Sequence, residues 1–249
     1  MTLAKVQAKE ISKRFGSLQV LDRTSFEAAE GEFICLLGPS GCGKTTILKI
    51  IAGLDSPSTG AVLIDGETPN PMRQSIGFVF QEFSLFPWRS VRDNVKFGLE
   101  LKKSNENVDE RVHDMIGLVG LKGFETYYPH QISGGMQKRV AIARALAVDP
   151  SVLLMDEPFG DLDAQTRWIM HRELWSIHEK LRKTTLFVTH NVEEAVYLAD
   201  KVLVLSKRPA SIKQLVSIDL ERPRYELSDQ FVRYREQILK LLREEVPQI

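Results

Sequence analysis

Long hydrophobic runs are absent from this sequence of 249 residues. A helix that crosses a membrane needs about 18 or more consecutive apolar residues, and no segment approaches that length. The first residues, Met1-Thr2-Leu3-Ala4-Lys5, contain no apolar core of a secretory signal peptide. We therefore expect no membrane-spanning segment, and we expect any action at a membrane to come from the water side through a partner.

An excess of charge of one sign is also absent, and cysteine is scarce. The 33 basic residues balance 33 acidic residues, although a neutral total can still contain a local basic face. Cys35 and Cys42 fall in a predicted core strand and in a glycine-rich loop, which favours reduced thiols and a cytosolic setting over a disulfide. With 43% hydrophobic and 27% charged residues, the composition is that of a globular protein with room for one large or two small domains.

What the sequence does contain is a glycine-rich segment, Gly38-Pro39-Ser40-Gly41-Cys42-Gly43-Lys44-Thr45, followed by Thr46. An apolar run at 33–37 leads into this segment, and a helical pattern at 47–52 leaves it. Strand, glycine loop and helix start therefore follow one another in the order that a phosphate-binding loop requires. The alternative is a strand-to-helix loop with chance glycines, which is disfavoured because every motif position is filled in the right context.

The chemistry of this segment suits a polyphosphate. Glycines let successive backbone N–H groups turn inward, and the amides at the helix start add the positive end of the helix dipole. Lys44 can supply a mobile positive charge for the outer phosphates, and Thr45 can supply a hydroxyl for a magnesium ion. The segment therefore predicts a nucleotide site that is held mostly by main-chain atoms.

The hydrophobic patterns predict an α/β fold. Short alternating stretches at 3–37 predict strands joined by turns. The continuous apolar run at 152–155, closed by Asp156, predicts a buried parallel strand. An apolar run at 76–80 ends at Gln81, and 184–189, before His190, is another predicted strand. From about residue 88 to 148 the period is mainly that of amphipathic helices. We expect a largely parallel sheet with an inserted helical lobe.

Polar residues follow several of these predicted strands. In an open α/β sheet, ligands collect beyond the carboxyl ends of the strands, and here those ends carry the phosphate loop, Gln81, Asp156-Glu157 and His190. A magnesium–nucleotide site needs this mixture of phosphate donors, metal ligands, a water-orienting base and a sensor of the terminal phosphate. Taken singly, Gln81 is most often a solvated loop residue, Asp156 a cap or turn former, and His190 a structural histidine. Their joint placement favours the nucleotide site.

From Phe15 to about Pro223 the sequence resembles an ATP-binding-cassette (ABC) ATPase subunit. The matching motifs are the phosphate loop at 38–46, the glutamine of the glutamine loop (Gln81), the family signature (Ile132-Ser133-Gly134-Gly135-Met136), the second nucleotide motif (Asp156 and Glu157), the loop after it (Gly160-Asp161-Leu162-Asp163), the switch histidine (His190) and two adenine-side residues (Phe15 and Val20). The resemblance implies a phosphate-loop NTPase core with a mostly parallel sheet, an N-terminal antiparallel β subdomain and an inserted α-helical subdomain at about 88–148. We expect the ATPase domain at 1–225 and a C-terminal helix, which Ser228 can cap, at 226–249.

The resemblance also implies how ATP and Mg²⁺ are bound. Two such subunits, expected to form a homodimer, associate head to tail, so that each ATP lies between the phosphate loop of one and the Ser133-Gly134-Gly135 segment of the other. The implied roles are adenine contact for Phe15 and Val20, phosphate binding for Gly38 to Thr46, metal binding for Thr45, Gln81 and Asp156, catalysis by Lys44, Gln81, Glu157 and His190, and contact with the partner's ATP for Ser133, Gly134, Gly135, Gln137 and Asp163. Within the catalytic set, Glu157 would orient or deprotonate the attacking water and His190 would contact the γ-phosphate. Hydrolysis by a lone subunit should then be weak.

A few positions depart from the usual family pattern. Phe15 stands where tyrosine is commoner, which keeps the stacking surface and loses a hydroxyl. Ile132 replaces leucine and Met136 replaces glutamine, and neither change touches the Ser133-Gly134-Gly135 core. Asp161 adds a carboxylate where a small residue is frequent; at a dimer seam it would either weaken closure or pair with a lysine.

Three further phrases, at 81–88, 158–167 and 220–224, are similar to ATPase subunits of nitrate, sulfonate and taurine importers. This narrower resemblance implies membrane permease subunits as partners, a solute-binding protein at the level of the complex and no direct contact with nucleic acid. It also implies a location at the cytoplasmic face of the membrane.

In such importers a short permease helix docks in a groove beside the glutamine loop. The apolar candidates for this groove are Phe83, Leu85, Phe86 and Trp88. Ordinary packing between the two lobes explains the same residues equally well.

Two other functions fit parts of the sequence. One is a soluble cassette ATPase that works on nucleic acid, on ribosomes or in cluster assembly; the single cassette, the short insert and the zero net charge argue against it. The other is a regulatory protein that closes on ATP without turnover, and an intact Glu157 and His190 argue against that.

Overall fold

The computed structural model describes residues 4–70, 76–82, 84–102 and 107–245. The strands of these ranges are β1 (Val6–Phe15), β2 (Leu18–Ala28), β3 (Phe33–Leu37), β4 (Thr59–Ile64), β5 (Ile76–Val79), β6 (Val152–Asp156), β7 (Thr184–Thr189), β8 (Lys201–Leu205) and β9 (Ile212–Ser217). The α-helices are α1 (Lys44–Ile51), α2 (Val91–Lys102), α3 (Val108–Leu118), α4 (Gly134–Ala147), α5 (Ala164–Leu181), α6 (Val192–Leu198) and α7 (Asp229–Arg243). Among the helices in this part of the chain, none combines the length and the apolar character of a membrane span.

The chain divides into two compact units, which we call the first and the second unit. The first unit comprises Met1–Arg73 together with Thr184–Ile249, and the second comprises Gln74–Lys183. The glycine-rich segment therefore belongs to the first unit, and the family signature belongs to the second.

The first unit contains two groups of strands. Strands β2, β1 and β4 form an antiparallel sheet in that order, with Phe15 opposite Leu18 where the chain turns from β1 into β2. Strand β3 lies between β7 and β8 and is parallel to both, while β9 pairs antiparallel with β8. Every residue of β3 and β7 is buried, as expected of parallel strands that are covered on both faces. Helices α1 and α6 pack against these strands.

The second unit combines a parallel pair of strands with a group of helices. Strands β5 and β6 pair with Val79 opposite Met155, so both leave the pair at the same end. Helices α2, α3 and α4 pack on one another through apolar side chains such as Val95, Val112 and Val140, which are buried. These helices lie between β5 and β6 in the chain, as the change of period predicted.

The predicted fold class is confirmed by the antiparallel N-terminal sheet, the mostly parallel strands and the helices between β5 and β6. Helix α1 begins earlier than the pattern at 47–52 indicates, because Ile47 N already bonds to Gly43 O at 3.0 Å. The C-terminal helix expected within 226–249 is α7, which ends at Arg243; residues 246–249 lie outside the described residues. The division into a domain at 1–225 and a helix at 226–249 stays a prediction.

Candidate functional site

The glycine-rich segment leaves β3 at Leu37 and enters α1 at Lys44. Gly43, the last residue before the helix, has a φ of 121°, which residues with a side chain rarely adopt. A Cβ at this position would lie 2.8 Å from Leu21 Cδ2 and 2.9 Å from Val20 Cγ1. The backbone conformation and the close approach of β2 therefore both require glycine at the start of α1.

The start of α1 has no side-chain cap within the described residues, and its first turn carries no acidic residue. Lys44 is 5% exposed, and its Nζ donates hydrogen bonds to Gly38 O at 2.9 Å and to Pro39 O at 3.0 Å. The ammonium group is thus held against the loop, next to the amides of a helix start. Amides and an ammonium group in this arrangement fit phosphate oxygens.

The other predicted residues of the loop surround this lysine in the chain. Ser40 and Gly41 are exposed, Cys42 is buried, and Thr45 and Thr46 are half-buried in the first turn of α1. The loop therefore has an exposed tip and an anchored end.

The two residues predicted to contact adenine lie in the same unit as the phosphate loop. Phe15 ends β1 and is 50% exposed. Val20 is buried in β2 and packs against Gly43. An exposed aromatic ring, a small apolar residue and a phosphate loop thus belong to one compact body.

His190 is placed by the register of two parallel strands. Leu37 of β3 pairs with Thr189 of β7, so the glycine-rich segment and His190 begin side by side at the carboxyl edge of the strands. The turn is fixed because Thr189 Oγ1 accepts a hydrogen bond from Asn191 N at 2.9 Å and donates one to Glu194 at 2.5 Å. His190 is exposed, and its contact with a phosphate stays a prediction.

The second unit brings Gln81 and two carboxylates to one end of the β5–β6 pair. Gln81 is exposed just beyond β5, and Asp156 is the buried last residue of β6. Glu157 follows with a φ of 42°. A residue other than glycine whose backbone is held in this left-handed region costs on the order of 1 to 3 kcal/mol in strain, and such residues recur at functional sites.

The predicted metal ligands form a donor set of known chemistry. Thr45, Gln81 and Asp156 offer a hydroxyl, an amide oxygen and a carboxylate, and Mg²⁺ prefers oxygen ligands, usually one or two from protein and the rest from phosphate and water. Within the described residues, no group of three or more His, Cys, Asp or Glu side chains could hold a metal on its own. Each of these oxygens therefore has the chemistry that Mg²⁺ prefers; Thr45 belongs to the first unit and Gln81 and Asp156 to the second, and their binding of one ion stays a prediction.

The family signature forms the start of α4. Ser133 is exposed, and its Oγ caps the helix by accepting a hydrogen bond from Met136 N at 3.3 Å. A Cβ on Gly135 would lie 3.2 Å from Thr166 Cγ2 of α5, so a larger residue would press on that helix. The serine hydroxyl and the glycine amides are thus presented together at a helix N-terminus.

Two more residues were predicted to contact a partner's ATP, and each has bonds within its own unit. Gln137 Nε2 donates to Pro129 O at 2.9 Å and to Ile132 O at 3.4 Å, which fixes the loop before the signature. Asp163 is exposed and caps α5 by accepting a hydrogen bond from Thr166 N at 3.0 Å, and this bond lowers the pKa of the Asp163 carboxyl. Their contact with a partner stays a prediction.

Three buried or half-buried polar residues were missed by the sequence analysis. Fully buried Lys138 of α4 donates from Nζ to Gln81 O at 2.5 Å, and Arg144 of the same helix donates to Ser84 O at 2.7 Å. Asn94 of α2, also fully buried, accepts from Phe86 N at 2.9 Å and donates to the oxygens of Arg89 and Ser90, both at 3.0 Å. The signal in the sequence was a polar residue beside buried apolar neighbours of a helix.

The open question about Asp161 concerns the same lysine. Burial is the larger effect on Lys138 and lowers its pKa, while the negative charge of Asp161 raises it. Whether Asp161 weakens closure or pairs with a lysine at a dimer seam stays a prediction.

The apolar groove candidates behave differently from one another. The Phe86 ring packs at 4.6 Å from the Phe97 ring and at 5.8 Å from the Trp88 ring, within the second unit. Trp88 is 72% exposed, Leu85 is half-buried, and Phe83 lies outside the described residues. Packing accounts for Phe86, whereas Trp88 presents an apolar surface to solvent.

Comparison with known proteins relates these motifs to a family. The family model described as "ABC transporter" matches residues 21–160. An uncharacterized ABC transporter ATP-binding protein of Methanocaldococcus jannaschii is 52% identical over 248 residues, which cover 97% of this chain and 92% of that protein. An aliphatic sulfonates import ATP-binding protein of Bacillus thuringiensis subsp. konkukian is 45% identical over 94% of this chain and 92% of its own length. The nitrate import ATP-binding protein of Synechocystis sp. is 45% identical over 94% and 91%.

Solved structures give the same result for the fold. The dimeric structure of a bacterial ABC transporter cassette matches with a TM-score of 0.76 and 32% identity, over 87% of this chain and all of that chain. The same cassette as a dimer in a post-hydrolysis state, bound to ADP and phosphate, matches with a TM-score of 0.75 and 33% identity over the same shares.

Proposed function

This chain belongs to the family of ABC transporter ATP-binding subunits, and from that premise we propose that it is the ATP-hydrolysing subunit of a membrane importer for a small solute. The observation that carries the proposal is the start of α1, where Gly43 leaves the helix without a side-chain cap and Lys44 holds its ammonium group against the loop carbonyls. A triphosphate would complete this helix start with its own negative charge.

Each predicted residue has a task in this proposal. Lys44 would neutralise the outer phosphates, and the hydroxyl of Thr45 and the carboxylate of Asp156 would hold Mg²⁺, which supplies charge neutralisation at the phosphates when bound. Glu157, held in its strained conformation, would orient or deprotonate the attacking water. Exposed His190 would contact the terminal phosphate from the neighbouring strand end, and Gln81 would report on the metal or the water.

The active form in this proposal is a dimer, most simply of two identical chains. Ser133 is exposed at the start of α4, where its hydroxyl and the following glycine amides could meet a nucleotide on a second subunit. The dimeric cassette structures that resemble this chain support the idea. Gln137 and Asp163 would act as further contacts or as supports of the same surface.

Relatives named for sulfonate and nitrate import support the importer assignment. We extend it to nitrate, a sulfonate such as taurine, or a related small solute. Permease subunits would dock on the second unit near exposed Trp88, which would hold the chain at the cytoplasmic face of the membrane. A solute-binding protein would belong to the same complex.

The test is ATP turnover in two settings. The purified chain should hydrolyse MgATP weakly, and its specific activity should rise with protein concentration, because the site is completed by a second copy. Co-expression with a candidate permease should recover a complex whose turnover rises with the transported solute. Stimulation by RNA or ribosomes, with no permease recovered, would favour the soluble-cassette alternative instead.

A further inference from the structure

The base-stacking residue of the proposed nucleotide site has a charged neighbour. The Nζ of Lys13 lies 4.8 Å from the centroid of the Phe15 ring, over its face. An ammonium group within about 6 Å of an aromatic centroid is attracted by the ring quadrupole. One face of the ring is therefore in contact with a cation, while half of the Phe15 surface remains exposed.

The ammonium group is itself fixed in place. Lys13 Nζ donates to Asp55 Oδ1 at 2.5 Å and to Ser56 O at 2.7 Å, and only 12% of the lysine side chain is exposed. The bond from Lys13 is the largest influence on Asp55, whose pKa is lowered. Asp55 N in turn bonds to Lys49 O of α1 at 3.2 Å. Lys13 thus connects the aromatic ring to the segment that ends the phosphate-loop helix.

We propose that Lys13 is a positioning residue for the nucleotide base: it holds Phe15 in the orientation that stacks on a purine and ties that ring to the phosphate-loop helix. Phenylalanine lacks the hydroxyl with which a tyrosine could be tethered, and a ring at a hairpin end would otherwise lose rotational freedom when the base binds. A ring that is ordered beforehand avoids that entropic cost. The inference rests on the proposed nucleotide site and assigns a determinant of base binding within it.

The experiment compares two probes on the full-length chain by calorimetry, MgADP and magnesium tripolyphosphate, which carries phosphates without a base. Lys13→Ala should weaken MgADP binding about threefold to tenfold and leave tripolyphosphate binding unchanged within about twofold. Lys13→Arg, which keeps a cation for the ring, should bind MgADP nearly as the natural chain does. In a Phe15→Ala background, Lys13→Ala should cause no further loss.

A matched control is available at the other end of β1, the strand that contains Lys13. Lys5, just before β1, pairs with Asp65 at 2.8 Å and is 13% exposed, so Lys5→Ala removes a comparable ion pair away from any proposed base contact. Thermal unfolding of all variants checks that the sheet is intact, and Lys13→Met, which keeps the aliphatic stem, replaces Lys13→Ala if the latter does not fold.

The outcomes separate this inference from the proposed function. Equal loss for both probes in Lys13→Ala, or the same loss in Lys5→Ala, would overturn the positioning role, because it would indicate a general effect of charge or folding. If Lys44→Ala leaves both probes bound as before, the nucleotide site itself is wrong. If Lys44→Ala weakens both probes and Lys13→Ala weakens neither, the site stands and the role of Lys13 is refuted.

Discussion

Helices α1 and α4 both begin at a glycine-rich segment, and their first turns are completed in different ways. At α1, Gly43 offers no side-chain cap and Lys44 bonds to loop carbonyls. At α4, Ser133 caps its own helix through a 3.3 Å bond from Met136 N. In the proposed function a nucleotide balances the amides of the first helix start, whereas a serine of the same chain already accepts a hydrogen bond from one amide of the second.

Because of this contrast, we expect the two helix starts to contribute differently to the affinity for nucleotide. A helix end that a ligand caps should contribute much of the affinity for the phosphate tail, since amides, dipole and ammonium group act together. A helix end that a serine already caps has less to gain from a second chain's nucleotide. We therefore expect the phosphate loop to control whether nucleotide binds, and the signature to control what happens after it has bound.

The largest effect should come from Lys44→Ala. Hydrogen bonds to charged groups contribute about 1.5 to 3 kcal/mol each, so loss of two such contacts with phosphate should weaken nucleotide binding roughly 10²- to 10⁴-fold and abolish turnover. Calorimetry with MgADP measures this. The control is Lys49→Ala, an exposed lysine in the last turn of the same helix, which should bind normally. Unchanged affinity in Lys44→Ala would reverse the contrast between the two helix starts.

Glu157→Gln should separate binding from chemistry. The substitution keeps the shape of the side chain and removes the group that activates water, so turnover should fall about 10²- to 10⁴-fold with nucleotide affinity retained. Because closure would no longer lead to cleavage, dimers should accumulate with ATP, which size-exclusion chromatography with light scattering detects. Glu179→Gln, an exposed change on α5, is the control. Normal turnover in Glu157→Gln would remove that residue from the catalytic role.

Ser133→Ala tests the second helix start directly. Loss of the cap should lower the free energy of unfolding by about 1 kcal/mol, and loss of a hydroxyl contact with a charged phosphate should slow hydrolysis about tenfold, while MgADP binding stays unchanged. Ser228→Ala is the control, since Ser228 caps α7 with a bond of the same 3.3 Å length from Phe231 N and also donates to Tyr225 O at 2.8 Å. That variant should lose at least as much stability and keep full turnover; equal turnover in the two would mean that Ser133 is only a cap.

The sequence was sufficient for the parts of the site that local pattern determines. The phosphate loop and the ends of β5, β6 and β7 follow from runs of neighbouring residues. The bonds of Lys138 could not be predicted in this way, because its partner, Gln81 O, is 57 residues away along the chain. The same holds for Lys13 and Asp55, which are 42 residues apart. Such contacts depend on tertiary packing, which the pattern of neighbouring residues in one sequence does not determine.

The smallest effect is expected from Lys138→Met, which removes the hydrogen bond from Lys138 of α4 to Gln81 O. Burial lowers the Lys138 pKa, so the charged form is disfavoured in the folded state. Loss of the bond to Gln81 O and relief of the buried charge should nearly cancel, leaving the free energy of unfolding within about 1 kcal/mol of the natural value. Hydrolysis should fall about twofold to fivefold, as expected for loss of one ordinary hydrogen bond that orders Gln81, with MgADP affinity intact. Lys122→Met, at an exposed site, should change neither property.

The pH dependence of the free energy of unfolding tests whether burial of the Lys138 charge opposes folding. Since the pKa of Lys138 is lower in the folded than in the unfolded chain, the unfolded chain binds more protons between the lowered value and 10.5. The natural chain should therefore gain stability relative to Lys138→Met as the pH rises through that interval, which denaturant unfolding at several pH values measures. A difference that is independent of pH would mean that the lysine is not strained by its burial. Burying the Lys138 ammonium group would then cost no free energy that offsets its bond to Gln81 O. In that case hydrolysis in Lys138→Met should fall by more than about fivefold.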